Sequence, residues 1–355
     1  MDWIYWLAII PVLSLLVFVH EFGHFVAALW AKVKIEEAGV GYPPRLFAVR
    51  WRNIDWSVNL IPVGGFVRML GEEDPSAEGS LASKPPWKRL VVLLAGVTMN
   101  AVLAVALYAA IYAVGEPVPV GPVTITEIAP GSPAAAVGLQ AGDVILTLND
   151  HEVLNPTDLV NYTRSHLGQP MTIVVRRGEE TLTFSVTPRV QAPAGQGPLG
   201  VGIQMTEITE TRTIGHPIWE AVGLGVQHTL DVLQFMIDGL RAMMIGQTEP
   251  TMAGPLGIAH VTSEVAQRSG LLGLIDLTAL LSLNFTLINV IPFPGLDGGR
   301  VIFVLLEAAR RGKRIAPEKE ALVHFAGLVL LLAFVAFISI FDLLRVIRGE
   351  SLLFQ

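Results

Sequence analysis

Four long runs of apolar residues stand out along the chain and are separated by more polar stretches. Each run is long enough to cross a hydrocarbon layer of roughly 30 Å as an α-helix of about twenty residues. The pattern predicts a polytopic α-helical membrane protein with about four transmembrane helices, at about 3–30, 90–114, 271–291 and 322–344. No basic residues precede the first run, and the run is longer than the apolar part of a signal peptide, so we expect a membrane span there.

A stretch of different composition, 118–190, lies between the second and third runs. Short runs rich in β-branched and apolar residues alternate there with Gly and Pro turns. The predicted strands lie at 123–128, 144–148, 171–175 and 181–186. This pattern predicts an α+β domain inserted into an otherwise helical chain.

The segment 191–270 is predicted to contain a linker and an amphipathic helix. Pro and Gly recur in 191–200, which favours a flexible connection. Residues 217–245 are strongly apolar and helical in pattern, yet charges such as Asp231 and Asp238 recur along them. Charges at mid-helix favour a helix at the membrane interface over a spanning one. A helix packed against the inserted domain is the alternative.

Another β-rich region, at about 40–70, lies between the first two spans. Its runs 45–52 and 55–67 have the character of extended strands, and they carry Trp51 and Trp56. Tryptophan is enriched at membrane–water interfaces. The region is therefore predicted to form a membrane-associated β-hairpin.

Composition supports a membrane protein and limits its chemistry. Apolar residues make up 52% of the 355 and charged residues only 15%, against roughly 25% in ordinary soluble domains. The net charge of −7 argues against nucleic-acid binding, which needs clustered Lys and Arg. Because the chain has no cysteine, any metal must be held by His and carboxylate groups.

The distribution of Lys and Arg predicts the topology. Nine such residues lie in 31–89 and six in 292–321, whereas 115–270 contains only seven. Basic residues concentrate in cytoplasmic loops, so the first two regions are predicted to be cytoplasmic and the inserted domain extracytoplasmic.

The motif His20-Glu-Phe-Gly-His24 lies inside the first span. Two histidines four positions apart lie on one face of a helix, where both imidazoles reach one zinc ion and Glu21 can take a proton from water. Ionisable residues at bilayer depth indicate a functional site. An internal hydrogen-bond cluster of the same three residues is the alternative.

A catalytic zinc ion usually has three protein ligands, so a third must come from elsewhere. Asp297 is the candidate, because it follows the third span and topology brings it to the same cytoplasmic half of the membrane as His20 and His24. An ordinary helix end with an Asp turn is the alternative. His324 is isolated in the apolar fourth span and is interpreted as a core histidine.

These features together resemble the site-2 protease family over nearly the whole chain. The resemblance is carried by HEFGH at 20–24, LAGVTMN at 94–100, the Gly-Gly turn at 64–65, GPLG at 254–257 and NVIPFPGLDGG at 289–299. It is also carried by a segment that resembles a PDZ domain of the bacterial protease type, with PGSPAAA at 130–136 and AGDVI at 141–145. Val97 replaces the Pro usual in the second motif, and only one PDZ copy is found.

The resemblance implies a role for each site residue. His20, His24 and Asp297 are the expected Zn²⁺ ligands and Glu21 the catalytic base. Asn289, Gly64 and Gly65 are expected to contact the substrate, although a helix cap or bundle hydrogen bond is the alternative for Asn289. The hairpin is expected to accept the unwound substrate as an added strand.

The implied activity is that of an intramembrane zinc metalloendopeptidase in a bacterial inner membrane. The expected substrates are transmembrane segments of single-span proteins, such as an anti-sigma factor or remnant signal peptides. The PDZ domain is expected to gate or dock substrate, and an upstream site-1-type protease is expected to cut first. A non-catalytic membrane scaffold and a metal-ion transporter are the competing classes, but a scaffold needs no Glu21 and no repeated halves indicate a transporter.

Overall fold

A computed structural model of the protein describes residues 3–72, 76–193, 195–247 and 254–347. The chain forms two compact units. The membrane unit comprises Met1–Val114 and His216–Gln355, and the sheet unit comprises Gly115–Gly215. The predicted domains 1–114, 191–270 and 271–355 each include a few residues outside the described ranges.

The described residues form nine helices and ten strands. The helices are α1 (Trp3–Trp6), α2 (Ile9–Ala31), α3 (Pro86–Val114), α4 (Pro133–Val137), α5 (Pro156–Ser165), α6 (Ile218–Met244), α7 (Pro255–Val290), α8 (Asp297–Ala309) and α9 (Pro317–Ile347). The strands are β1 (Ile35–Trp51), β2 (Ile54–Met69), β3 (Glu116–Val120), β4 (Val123–Ile128), β5 (Val144–Leu148), β6 (His151–Glu152), β7 (Met171–Arg177), β8 (Glu180–Val186), β9 (Val201–Met205) and β10 (Glu210–Ile214).

Four helical segments of the described residues are long and apolar enough to span a membrane. They are Ile4–Ala31, Pro86–Val114, Pro255–Val290 and Pro317–Leu344. The prediction of a polytopic helical protein with four spans is therefore confirmed.

The third span differs from its prediction at its start. Helix α7 begins at Pro255, directly after Gly254, because Pro at the first helical position is pre-organised for a helix. Its helical geometry is interrupted at Gly270 (φ 59°, ψ −145°), next to the predicted boundary at 271. The residues just before this break, 255–270, are helical, and the sequence pattern predicts no helix there.

Strands β1 and β2 form an antiparallel ribbon that folds into four adjacent runs. Residues 35–40 pair on one side with 65–69 and on the other with 55–58, and 54–59 also pairs with 45–51. The predicted strands 45–52 and 55–67 thus fall within this ribbon. Run 65–69 pairs with β1 on one side only, which leaves its other edge open within the described residues.

The sheet unit is built on antiparallel strands in the order β8-β7-β5-β4-β9, with β6 paired to β5. Its core includes Ile125, Leu148 and Ile173, which are almost fully buried. Two hydrogen bonds from Arg177, at 2.7 and 2.8 Å, hold the pKa of the buried Asp143 carboxyl below its usual value. This α+β organisation agrees with the inserted domain that the sequence predicts.

Helix α6 packs along α3 in the membrane unit. Gly225 fits tightly, since a Cβ there would lie 2.8 Å from the Ala109 nitrogen. His228 Nδ1 lies 3.2 Å from the Tyr112 hydroxyl, and Val232 packs beside the buried Tyr108. The second half of α6 exposes many apolar side chains, and its position at the membrane interface stays a prediction.

Candidate metal centre

Three side chains predicted as metal ligands meet at one point. Nε2 of His20 and Nε2 of His24 are 3.2 Å apart, and Oδ2 of Asp297 lies 3.0 Å from the first and 3.2 Å from the second. Both imidazoles are buried and Asp297 is partly buried. Among the described residues, this is the one group of three or more His, Cys, Asp or Glu side chains arranged to hold a metal ion.

The chemistry and spacing of these atoms fit Zn²⁺. Imidazole nitrogens and a carboxylate oxygen are common zinc ligands in proteins without thiolates. Two atoms bound about 2.0–2.1 Å from one ion at a tetrahedral angle lie about 3.3 Å apart. The observed separations of 3.0–3.2 Å are therefore close to those of a zinc ligand set.

Small residues allow α2 and α3 to approach closely at the histidine pair. A Cβ on Gly96 would lie 2.5 Å from Nε2 of His24 and 2.8 Å from Nε2 of His20. A Cβ on Gly23 would lie 2.4 Å from the Ala95 carbonyl oxygen. Any side chain at position 96 would thus occupy the space of the metal group, which explains a glycine in the second span at this point.

The second nitrogen of His24 fixes the orientation of its ring. Nδ1 lies 2.8 Å from the Val92 carbonyl oxygen, which can only accept a hydrogen bond, so Nδ1 carries the proton. Nε2 then presents a lone pair towards His20 and Asp297. This is the tautomer that a metal ligand requires.

Asp297 is the first residue of α8 and follows the turn that ends α7. Gly298 and Gly299 allow this turn, because a Cβ at either would lie within 2.5 Å of a backbone oxygen. The Gly295 N–H donates to Nδ1 of the buried His324 at 3.0 Å. His324 is thus a core histidine, as expected, but it also anchors the turn that carries Asp297.

Ion pairs hold the rest of α8 in place. Arg89, near the start of α3, pairs with Glu307 near the end of α8, and both side chains are more than nine-tenths buried. Arg314 Nε also donates to Glu307 Oε1 at 2.9 Å, and Arg300 pairs with Glu72. Losing one partner of a buried pair is strongly destabilising, so these contacts fix the helix that presents Asp297.

Glu21 lies between the metal group and the ribbon. Its Oε2 accepts a hydrogen bond of 3.1 Å from the Val67 N–H on the open edge of β2. The predicted base and the predicted substrate-binding strand are thus in direct contact.

The three predicted substrate contacts lie on two elements: Gly64 and Gly65 on β2, and Asn289 on α7. Gly65 begins the edge run 65–69, and Gly64 just before it has a positive φ of 71° and packs on Val17 of α2. Ser14 Oγ donates to the Pro62 carbonyl and ties this strand to the first span. Asn289 donates to the Phe285 carbonyl of its own helix, so its role towards substrate stays a prediction.

Asn100 ends the LAGVTMN motif, and the sequence pattern alone assigns it no part in the site. Its fully buried side-chain nitrogen lies 3.4 Å from Nδ1 of His20, and its side-chain oxygen has no partner among the described residues. With Nε2 of His20 on a metal, Nδ1 carries the proton and needs an acceptor. Rotating the side-chain amide of Asn100 by 180° exchanges its nitrogen and oxygen, so that the oxygen accepts the proton of His20 Nδ1. The feature of the sequence that could have indicated this role is a polar residue, Asn100, in the middle of an apolar span.

We expect Asn100→Leu to weaken zinc affinity by about 10- to 100-fold, as is typical when the hydrogen-bond partner of a ligand is lost. The readout is zinc affinity of the purified protein by competition with a chelator. Asn100→Asp retains an acceptor for His20 and should keep most of the affinity. Equal affinity for the Leu variant and the unaltered protein would contradict this role.

The fold and the site define a class: a multi-pass membrane protein in which a zinc-type ligand group, with an adjacent carboxylate, is formed by the first span and the start of α8. The sequence model of Peptidase family M50 matches residues 8–334. The chain therefore belongs to peptidase family M50, the site-2 proteases, and is an intramembrane zinc metalloprotease.

Relatives of this chain align over most of their length. It is 26% identical to the regulator of sigma-W protease RasP of Bacillus subtilis, over 96% of this chain and 98% of that protein. It is 28% identical to the zinc metalloprotease RasP of Oceanobacillus iheyensis, over 95% and 98% respectively. It is 31% identical to the chloroplastic membrane metalloprotease ARASP of Arabidopsis thaliana, over 94% and 78%.

Part of the structure is similar to a solved PDZ domain, that of the SdrC-like protein of Listeria monocytogenes. The similarity covers 25% of this chain and 93% of that chain, with 20% identity and a TM-score of 0.22.

Proposed function

We propose that His20, His24 and Asp297 hold one Zn²⁺ ion and that Glu21 is the catalytic base of a peptidase acting within the bilayer. The observation that carries this proposal is the meeting of three ligand atoms, 3.0–3.2 Å apart, beside a carboxylate of a spanning helix. Three protein ligands are the usual number in a catalytic zinc site.

The residues of the chain then divide the reaction between them. When bound, zinc supplies Lewis-acid chemistry that polarises the scissile carbonyl and makes water nucleophilic near neutral pH. Glu21 takes the proton of the attacking water and passes it to the leaving amine. The Val67 N–H orients the Glu21 carboxylate during both transfers. No covalent intermediate is needed.

The substrate is bound as an added strand on the open edge of β2. A peptide bond within a helix is shielded by its own hydrogen bonds, so a transmembrane segment must unwind before hydrolysis. An exposed strand edge offers replacement partners for the freed backbone groups. Run 65–69 has such an edge directly beside Glu21.

The substrates are transmembrane segments of single-span membrane proteins, such as an anti-sigma factor or remnant signal peptides. A relative named as a regulator of sigma-W protease supports the first of these. The sheet unit acts as a PDZ domain that docks substrate or excludes proteins not yet cut by an upstream site-1-type protease. Its position in sequence, between the second and third spans, is compatible with that role.

The protein resides in a bacterial inner membrane with the metal group in the cytoplasmic half. The richness of 31–89 and 292–321 in Lys and Arg supports this orientation. The sheet unit then lies outside the cytoplasm, where it meets the extracytoplasmic ends of its substrates.

Zinc removal tests the proposed function directly. We expect the purified full chain, in lipid nanodiscs, to cut a single-span substrate within its transmembrane segment. A chelator should abolish this cleavage and added Zn²⁺ should restore it, because both polarisation and water activation depend on the ion. Stoichiometric zinc binding without cleavage of any single-span substrate would contradict the proposal.

The strand edge is tested by Val67→Pro, which removes the N–H that reaches Glu21 Oε2. A hydrogen bond to a charged group contributes about 1.5–3 kcal/mol, so we expect kcat/KM to fall by about 10- to 100-fold with zinc content unchanged. Proline is tolerated on edge strands, which favours retention of the fold.

Val67→Ala is the matched control, because it shortens the side chain and keeps the N–H. It should retain most of the activity. If the Pro variant cleaves as fast as the Ala variant, the edge amide has no part in catalysis.

A further inference from the structure

A cavity of about 300 Å³ lies between α2 and the ribbon, and Phe66 and Val67 of the edge run are among its lining residues. Its lining is apolar and aromatic and includes Phe18, Phe22, Phe25, Phe47, Trp56 and Val58. The proposed mechanism uses the Val67 N–H and the strand edge at 65–69, but none of the side chains of α2 or Trp56 that line the cavity.

The cavity opens on the outer side of the first span. Residues two positions apart on a helix are separated by about 200° around its axis, so Phe18 and Phe22 point away from His20 and His24. Their exposed fractions of 48% and 45% agree with a surface that meets lipid. An occupant therefore enters from the bilayer and does not pass the metal group.

A path of aromatic rings leads from this cavity to a basic residue. The rings of Phe25 and Trp56 are 5.5 Å apart, and those of Trp56 and Trp51 are 6.3 Å apart. The Arg52 guanidinium lies 4.7 Å from the centre of the Trp51 ring. No carboxylate pairs with Arg52 in the part of the chain that the structure describes.

The direction of this path matches the depth of a phospholipid in the inner leaflet. Phe18 to Phe25 covers about 10 Å of helix and runs towards the predicted cytoplasmic end of the span. Tryptophan marks the interface, and a basic group just beyond it meets phosphate. The apolar cavity therefore matches the acyl chain of a lipid, and the Arg52 guanidinium at its interfacial end matches the phosphate of the headgroup.

We propose that this cavity binds one acyl chain of an anionic phospholipid, whose phosphate is held by Arg52. The acyl chain contacts the three phenylalanines of α2, and the headgroup rests at Trp51. An anionic lipid is favoured over a neutral one because Arg52 has no carboxylate partner among the described residues, whereas the neighbouring Arg50 pairs with Asp55 at 3.8 Å. The bound chain lies against the ribbon, whose edge residue Val67 contacts Glu21.

The test uses the full chain in nanodiscs of phosphatidylcholine that contain a little phosphatidylglycerol with a photoreactive group in its acyl chain. After irradiation, mass spectrometry maps the labelled residues. We expect labelling in the peptides that contain Phe18–Phe25 and Trp56–Val58, and competition by unlabelled phosphatidylglycerol but not by added phosphatidylcholine.

Two variants address the two ends of the lipid separately. Arg52→Gln should reduce labelling about fivefold, the effect of one basic residue near an anionic surface. Val58→Trp fills the cavity from its wall and should reduce labelling at least as much. Lys313→Gln, at an exposed cytoplasmic lysine, and Val102→Trp, at an exposed position of α3, are the matched controls and should label normally.

Retained zinc content shows that each variant is folded. Equal labelling of the unaltered protein by phosphatidylcholine and phosphatidylglycerol analogues would overturn the choice of an anionic lipid. Unchanged labelling of Val58→Trp would overturn the cavity as the site. Displacement of the label by a single-span substrate would overturn the proposal in favour of a substrate subsite.

Discussion

Glu21→Gln is expected to lower kcat by about 10²- to 10⁴-fold, the usual contribution of a general base, while the protein keeps its zinc. Glutamine has nearly the same shape, and its side-chain oxygen still accepts the Val67 N–H that now reaches Oε2 at 3.1 Å. The substitution therefore removes the basicity of residue 21 and little else. Cleavage of a single-span substrate and zinc content, measured on the same sample, give the two readouts.

Glu36→Gln is the matched control for this experiment. Glu36 lies on the ribbon, pairs with Arg68 and does not belong to the metal group. Its loss should leave cleavage within a few-fold of the unaltered protein. Full activity of the Glu21→Gln variant would show that another group moves the proton, and loss of zinc from that variant would show that Glu21 is a ligand.

Asp297→Ala is expected to remove both zinc and activity. Losing a partner of a metal ligand lowers affinity by about 10- to 100-fold, so losing the ligand itself should exceed that range. The two histidines alone would then lack the charged oxygen that lies 3.0 and 3.2 Å from their Nε2 atoms. Zinc stoichiometry after dialysis and cleavage of the single-span substrate are the measurements.

Asp297→Asn separates the ligand role from a structural one at the helix end. Asparagine keeps the size of the side chain and an oxygen at the first residue of α8, but its neutral oxygen is a weaker zinc ligand. Asp231→Asn, at an exposed site on α6, controls for the loss of one negative charge. If Asp297→Asn binds zinc as tightly as the Asp231→Asn control, Asp297 only ends a turn and the third ligand lies elsewhere.

Asp297 shows how far sequence reasoning reaches. It is separated from His20 by most of the chain, yet the distribution of Lys and Arg is enough to predict that both lie in the same half of the membrane. Membrane topology does not predict, however, which side-chain atom of that loop approaches the two imidazoles. The meeting of Oδ2 with two imidazoles depends on Gly298, Gly299 and the hydrogen bond from Gly295 to His324.

The ribbon shows where the sequence pattern is insufficient. Strands at 45–52 and 55–67 are visible as β-rich runs, but their pattern does not show that 35–40 lies between 55–58 and 65–69. The order of the strands depends on hydrogen bonds between backbone groups that are distant in the sequence. Only that order puts the Val67 N–H on an open edge next to Glu21.

By itself the sequence determined the four spans, the β-rich inserted segment and the candidate ligand pair His20 and His24, since these follow from apolar length, residue type and helical spacing. Tertiary structure alone decided the rotation of α2 against α3, which places Gly96 against both imidazoles and Asn100 beside His20. It also decided that α7 begins at Pro255 and that α6 packs on α3. These features depend on close contacts between distant segments, which no local pattern contains.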